Sequence, residues 1–245
     1  MNQSLLQAPA MTIATLEAED FAFLGRPVRG ILLDMDGTIA DTKEAHADGW
    51  VSWAARHNLP ISRQSYLTEY FGRSNDDVIP ELFPHLAHDK AALKELSDDK
   101  ERDFPEYVAQ GRITPMPGVI EFIRRCHERG LGLAVASSAP TYNVEKICEV
   151  FDIARYIPVR LGMESVKRAK PAPDLFLKAA ASLGLDPRDC VVFEDSVHGL
   201  QGARDAGCRT VGVLTLNTAE KLGTLADICI DDYEELMAME PWNRV

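Results

Sequence analysis

From Pro117 onward the chain alternates short apolar runs with segments of helical period, and this alternation limits the possible folds more than any other feature. Residues 131–136, 156–161, 190–193, 210–214 and 227–230 read as strands bounded by turn signals. Between them, Val119, Ile120, Ile123 and Cys126 mark one side of a helix opened by Pro117-Gly118 and stopped at Gly130. Val144, Ile147, Cys148 and Phe151 fall at i, i+3, i+4 and i+7. Leu175, Phe176, Ala179 and Leu183 form a third helical face, and Val197, Leu200 and Ala203 a fourth, which ends at Gly207. Strands separated by helices of this length build right-handed βαβ units around a parallel sheet. The expected class is α/β, with a Rossmann-like parallel sheet core.

One further strand lies upstream, where Ile31-Leu32-Leu33 runs straight into Asp34-Met35-Asp36-Gly37-Thr38. After Thr38 the pattern becomes helical. Trp50, Trp53 and Ala54 share a face until Asn58 and Pro60; further helices start at Ser62 and near Asn75, the latter shortened by Pro80. A long one follows over residues 89–103, with Leu93 and Leu96 on its apolar side. No convincing strand occurs over residues 45–113, which reads as an inserted, small all-helical cap. The expected division is an N-terminal extension over 1–28 outside the core, a catalytic core from 29–44 and 114–245, and the cap over 45–113.

At 245 residues the chain can bury a sizeable core, and 46% hydrophobic with 26% charged residues is the composition of a globular protein. A net charge of −12 argues against a nucleic-acid or anionic-membrane partner, which calls for a basic face. The five cysteines (Cys126, Cys148, Cys190, Cys208, Cys229) are scattered and never in Cys-x-x-Cys spacing, so they read as buried free thiols of a reducing compartment. The first residues lack a basic region and a long apolar run, and carry Glu17, Glu19 and Asp20. No stretch is long enough to span a membrane. The expectation is a cytoplasmic protein acting on a small molecule, as a monomer, with a dimer as the other oligomeric reading.

Three predicted strands end in polar residues: Asp34 and Asp36, Ser137 and Ser138, Glu194 and Asp195. In a parallel sheet such ends lie along one edge, where open α/β folds bind ligands. Lys170, just before a Pro-x-Pro helix start, is placed to reach the same edge. Each has a bland reading when taken alone: Ser137 as a helix cap, Lys170 as a solvated lysine, Glu194 and Asp195 as acids favourable to a helix N-terminus. Their convergence makes a joint chemical role the better reading.

These residues resemble the haloacid dehalogenase (HAD) superfamily of aspartate-nucleophile phosphotransferases. The resemblance covers roughly residues 29–232. It runs through Asp34-Met35-Asp36-Gly37-Thr38, Ser137, Lys170 within Lys-Pro-Ala-Pro-Asp, and Glu194-Asp195-Ser196-Val197-His198-Gly199, with Ala203-Arg204-Asp205-Ala206-Gly207 trailing. The helical insertion resembles the family's helical cap. Within the superfamily the chain is most similar to the group of β-phosphoglucomutase, phosphoglycolate phosphatase and sugar-phosphate phosphatases. The resemblance implies that Asp34 is the nucleophile and forms an aspartyl-phosphate, while Asp36 protonates the leaving group and then activates water. It implies Mg²⁺ held by Asp34, the backbone carbonyl of Asp36, and Asp195, with Glu194 as ligand or as acceptor for bound water. Ser137, Ser138, Thr38 and Lys170 would hold the phosphoryl oxygens. Four ionised carboxylates outweigh Mg²⁺ and one lysine by a single negative charge, so a proton on Asp36 brings the site to neutrality before the phosphate dianion arrives.

His46 matches a hinge histidine that orients the acid/base aspartate in some β-phosphoglucomutase relatives; its other reading is a partly buried hinge residue. Arg73, in Gly72-Arg73-Ser74, stands where relatives carry a substrate loop and would grip a second anionic group; its other reading is a surface arginine. The Gly-Arg-Ser form, and Thr38 where the mutase has valine, favour a Mg²⁺-dependent phosphatase of a small sugar or hydroxy-acid phosphate over a mutase. A phospho-accepting receiver domain is disfavoured by the helical insertion and the Asp-x-Asp-Gly-Thr run. The dehalogenase branch is disfavoured because Asp36 and Asp195 are intact.

Overall fold

A computed structural model of the chain describes residues 22–70 and 73–244. Its centre is a six-stranded parallel sheet: β1 (Gly30–Leu33), β2 (Gly132–Ala136), β3 (Val159–Leu161), β4 (Cys190–Glu194), β5 (Arg209–Val213) and β6 (Ile228–Ile230). The order across the sheet is β6-β5-β4-β1-β2-β3, with every neighbour parallel. Because side chains alternate faces along a strand, β1 sends Ile31 and Leu33 to one core and Leu32 to the other. Burial on both faces explains why these strands read as unbroken apolar runs.

Three helices cover the first face: α5 (Val119–Glu128), α6 (Thr141–Val150) and α9 (Tyr233–Ala238), together with Trp242. The second face carries α7 (Asp174–Ser182), through Leu175, Phe176, Ala179 and Ala180, and α8 (Val197–Asp205), through Ala203. Two apolar assignments need correction. Ile120 and Val197 are exposed, whereas Phe122 takes the buried place on α5 and packs at a tilt against Phe193 and Tyr233. A helical face admits only side chains within about 100° of arc, and Ile120 falls outside it.

Strands β2 and β3 are added on one side of β1 and β4 to β6 on the other, so the carboxyl end of β1 lies at the topological switch point of the sheet. Leu33 pairs with Val135 on β2 and with Phe193 on β4. One step further along, Asp34 stands beside Glu194, and Ser137 and Asp195 follow at once. Parallel register alone gathers the three polar strand ends.

The insertion comprises α1 (Lys43–Arg56), α2 (Asn75–Leu82), α3 (Lys90–Glu101) and α4 (Phe104–Ala109), with a capped turn at Ser62 leading into a π-helical stretch, Tyr66–Tyr70. No strand occurs among the described residues over 45–113. Trp50, Trp53, Ala54, Tyr66, Val78 and Ile79 make a separate core here, with Leu93 and Leu96 packed against it. Pro80 lies inside α2, which ends two residues later. The two chain crossings between the sheet and this bundle are tied by a two-residue antiparallel ladder, Ala40–Asp41 against Thr114–Pro115.

The expectation that everything before Val28 lies outside the core is corrected at its end. Phe23 and Val28 are buried in the main core, Phe23 against Trp242, and Ala22–Phe23 pairs with Arg26–Pro27. Arg209, buried at the start of β5, donates to the carbonyl oxygens of Phe23, Arg26 and Pro27, each at 2.6 Å. The earlier part of the expected extension lies outside the described residues. Replacing Arg209 by Leu strips three carbonyls of their donor, and is expected to cost about 2–4 kcal/mol in urea unfolding. Arg204→Leu, which breaks an exposed pair with Asp227, is expected to cost less than about 1 kcal/mol.

Candidate active site

Asp34, Glu194 and Asp195 are all buried, and one carboxylate oxygen from each lies within 4.8 Å of the others. The ammonium of Lys170 enters from the loop before α7 and donates to Asp34 Oδ1 at 2.6 Å and Glu194 Oε1 at 2.7 Å. One lysine against three buried acids leaves negative charge in a poorly solvated place. Burial therefore pushes Asp34 up to about 8, with Glu194 and Asp36 adding to the rise and Lys170 opposing it. Burial likewise raises Asp195 well above the ordinary carboxylate range, helped by Glu194 and Asp34. For Lys170 burial favours losing the proton, but attraction to Asp34 and Glu194 wins, and its proton is held more firmly than usual.

Such a cluster of carboxylate oxygens is the donor set of a hard divalent cation. The charge imbalance points the same way, since two positive charges would relieve the repulsion that raises Asp34 and Asp195. Asp34 and Asp195 fit as direct ligands. Glu194 has one oxygen on Lys170 and the other accepting from the Ser196 N–H at 2.7 Å and the Ser196 hydroxyl at 2.8 Å, so it is already heavily engaged.

Asp36 points elsewhere. Its side chain is 29% exposed, against 9% for Asp34, and Oδ1 lies 3.1 Å from His46 Nε2. Lys100 Nζ, from the last turn of α3, lies 3.2 Å from His46 Nδ1. An ammonium can only donate, so Nδ1 accepts and the imidazole hydrogen sits on Nε2, which donates to Asp36. This contact occupies Oδ1 of Asp36 and leaves Oδ2 outside it. The two aspartates, one residue apart, thus occupy different environments.

The turn between them and the cap depends on Gly37, whose φ is +72°. A Cβ there would meet Asp195 Oδ2 at 1.9 Å, so a side chain is excluded by space as well as by backbone conformation. Gly199 plays the matching role on α8, where a Cβ would overlap the Glu194 carboxylate. Thr215 and Asn217, just past β5, were not anticipated. The Thr215 hydroxyl donates to the Gly37 carbonyl at 2.6 Å and lies 3.1 Å from Asp195 Oδ2, while Asn217 Nδ2 donates to the Asp195 carbonyl at 3.0 Å. They are polar residues past the end of a fourth strand, the same signal that marked the other three.

Ser137 is buried at the end of β2, and its oxygen accepts from the Ala139 N–H at 3.0 Å, leaving the hydroxyl hydrogen free to donate. Ser138 beside it is exposed. Thr38 is fully buried, and its hydroxyl has no partner among the described residues. Arg73 is not brought to the acidic cluster: its guanidinium pairs with Glu81 on α2. Among the described residues no helix is long and apolar enough to cross a membrane.

Residues 31–213 match the family model of haloacid dehalogenase-like hydrolases. The chain belongs to this family. Among its relatives are the protein CbbY of Rhodobacter capsulatus, 31% identical over 75% of this chain and 84% of the relative, and hexitol phosphatase B of Escherichia coli K12, 27% identical over 88% and 97%. The crystal structure of CbbY from Rhodobacter sphaeroides in complex with phosphate superposes with a TM-score of 0.73, at 27% identity, over 85% of this chain and 96% of that one.

The raised Asp34 carboxyl sets a pH dependence. Because its folded value lies above the unfolded one, the buried acid favours folding at low pH, and that contribution is lost as pH rises from about 4 to about 8. A divalent cation must displace this proton, so its affinity is expected to weaken as pH falls below about 8, with proton release on binding. Titration calorimetry with Mg²⁺ in buffers of different ionisation enthalpy measures both. A pH-independent affinity with no proton release would contradict the assignment.

Proposed function

We propose that this protein is a Mg²⁺-dependent phosphatase that hydrolyses a small phosphorylated metabolite, a sugar or hydroxy-acid phosphate, through an aspartyl-phosphate on Asp34. The observation that carries the reading is the pairing of Asp34, buried against Lys170 and two further acids, with Asp36, half-exposed and held by His46. Phosphoryl transfer calls for an in-line nucleophile, neutralisation of charge and a proton for the leaving oxygen. The names of the relatives, a hexitol phosphatase among them, support a phosphorylated small molecule as substrate.

In the first step the Asp34 carboxylate attacks phosphorus and the bond to the leaving oxygen breaks. The proton on Asp36 Oδ2 passes to that oxygen, so an alcohol departs rather than an alkoxide. In the second step ionised Asp36 takes a proton from a water molecule, which attacks phosphorus and releases inorganic phosphate and the Asp34 carboxylate. Lys170, Ser137 and Ser138 hold the phosphoryl oxygens, and the Thr38 hydroxyl is assigned to the same cradle. Asp34, Asp195 and the backbone carbonyl of Asp36 would hold Mg²⁺, with Glu194 as a further ligand or as acceptor for its bound water. When bound, the cation supplies positive charge against the phosphoryl oxygens and the crowded carboxylates. His46 keeps Asp36 turned toward the leaving group, and the helical cap excludes bulk water and selects the substrate.

A phosphate-release screen over sugar phosphates, phosphoglycolate and nucleotides, with and without Mg²⁺, tests the reading. Release is expected only with the cation. Asp34→Asn is expected to abolish it, and Asp36→Asn to lower it about 10²–10⁴-fold. Full activity in Asp34→Asn would remove the nucleophile assignment. Isomerisation of glucose 1-phosphate faster than phosphate release would replace hydrolysis by a mutase reaction.

A further inference from the structure

The residue after Lys100 is a second buried charge that neither the sequence reading nor the proposed chemistry uses. Glu101, 5% exposed at the end of α3, accepts from Lys100 Nζ at 2.6 Å and from Asn75 Nδ2, at the start of α2, at 2.9 Å, both on Oε1. Its other oxygen, Oε2, accepts from Asn143 Nδ2 at 3.1 Å. Asn143 is fully buried on α6, a helix of the sheet domain that begins just past Ser137 and Ser138. The contacts form a continuous chain with both ends in the sheet domain. They run from the core at Asn143 into the cap at Glu101 and Lys100, on to His46 on α1, and back to the core at Asp36.

Each link depends on the previous one. A buried carboxylate persists only where donors replace the water it has lost, and Lys100, Asn75 and Asn143 do so. Burial alone would raise the Glu101 carboxyl, but the Lys100 ammonium, the nearby His46 ring and the Asn75 amide outweigh it and hold it at about 2. The ammonium of Lys100, also buried, has Glu101 as its acid counterion, with the Trp50 ring 5.5 Å away. Without that carboxylate, the lysine gains more by turning its charge to solvent than by staying against the His46 ring. His46 would then lose the donor on Nδ1 that places its hydrogen on Nε2.

We propose that Glu101 is a positioning residue for Asp36: clasped by Asn143 across the junction of cap and core, it holds Lys100 against His46 and so keeps Asp36 Oδ2 free for proton transfer. The proposal deepens the phosphatase reading and rests on its assignment of Asp36 as acid and base. Asn143 contributes the part that ties the arrangement to cap position, since the clasp exists only while α3 and α6 are in contact.

The test compares wild type, Glu101→Gln, Asn143→Ala and His46→Ala on a sugar phosphate and on p-nitrophenyl phosphate, whose leaving group needs no acid. For the sugar phosphate, Glu101→Gln is expected to lower kcat about 10–100-fold with KM changed less than about 3-fold. With p-nitrophenyl phosphate the first turnover should keep its rate while later ones slow, because only the water-activating step then needs Asp36. Asn143→Ala should show the same pattern in weaker form. In the His46→Ala background, Glu101→Gln should add little, since both act through one chain. Equal slowing of both substrates in the first turnover, or full additivity with His46→Ala, would give Glu101 a purely structural role and overturn the proposal.

An ¹⁵N spectrum of the imidazoles provides a readout independent of turnover. His46 is expected as a single tautomer with hydrogen on Nε2 in the wild type, and as a mixture in Glu101→Gln. An unchanged tautomer would also overturn the proposal. A tautomer that responds in a protein releasing phosphate from no substrate would instead place the failure in the phosphatase reading.

Discussion

The crowding of Asp34, Glu194 and Asp195 around the ammonium of Lys170 is the constraint from which the rest of the site follows. Three buried acids with one cation are costly to hold together, and only a rigid scaffold can do so. The scaffold is the carboxyl edge of β1 and β4, where parallel register delivers Asp34 beside Glu194 and Asp195 without any long side chain having to reach. Gly37 and Gly199 then let backbone approach the carboxylates closer than any other residue would allow. In the proposed chemistry the imbalance is an asset, because it would make a place for a divalent cation and for the phosphoryl group that the cation helps to neutralise.

Two aspartates one residue apart are given opposite surroundings by the same turn. Asp34 ends a buried strand and faces a lysine, while Asp36 is more exposed and faces a histidine. In the proposed reaction the nucleophile must be ionised when it attacks and the general acid must carry a proton, and the difference in environment suits that division of labour. In the proposed arrangement, holding Asp36 from the cap side through Lys100 and Glu101 would join proton transfer to the position of the cap.

Much of this was legible in the sequence. The β1 run, the strand ends at Ser137 and Glu194-Asp195, and Lys170 before its Pro-x-Pro helix carry local signals, because buried parallel strands and helix starts have composition of their own. His46 was legible only through resemblance. Lys100, Glu101 and Asn143 were not. They sit 42 or more residues from the partner they complete, at positions where a lysine or glutamate on a helix ordinarily meets water. The ladder tying residues 40–41 to 114–115 spans two residues on each side, too short for a period, and contains Pro115. Arg73 was legible as a motif, whereas its ion pair with Glu81 was not.

The central claim is that Asp34, and no other acid of the cluster, accepts the phosphoryl group. Acid quenching during turnover, borohydride reduction and mass analysis of the peptide carrying residues 31–38 address it directly. Reduction of an aspartyl-phosphate leaves homoserine at position 34, and the yield should rise in Asp36→Asn on a substrate whose leaving group needs no proton. Turnover with residue 34 unmodified, or homoserine at position 36 or 195 instead, would contradict the account.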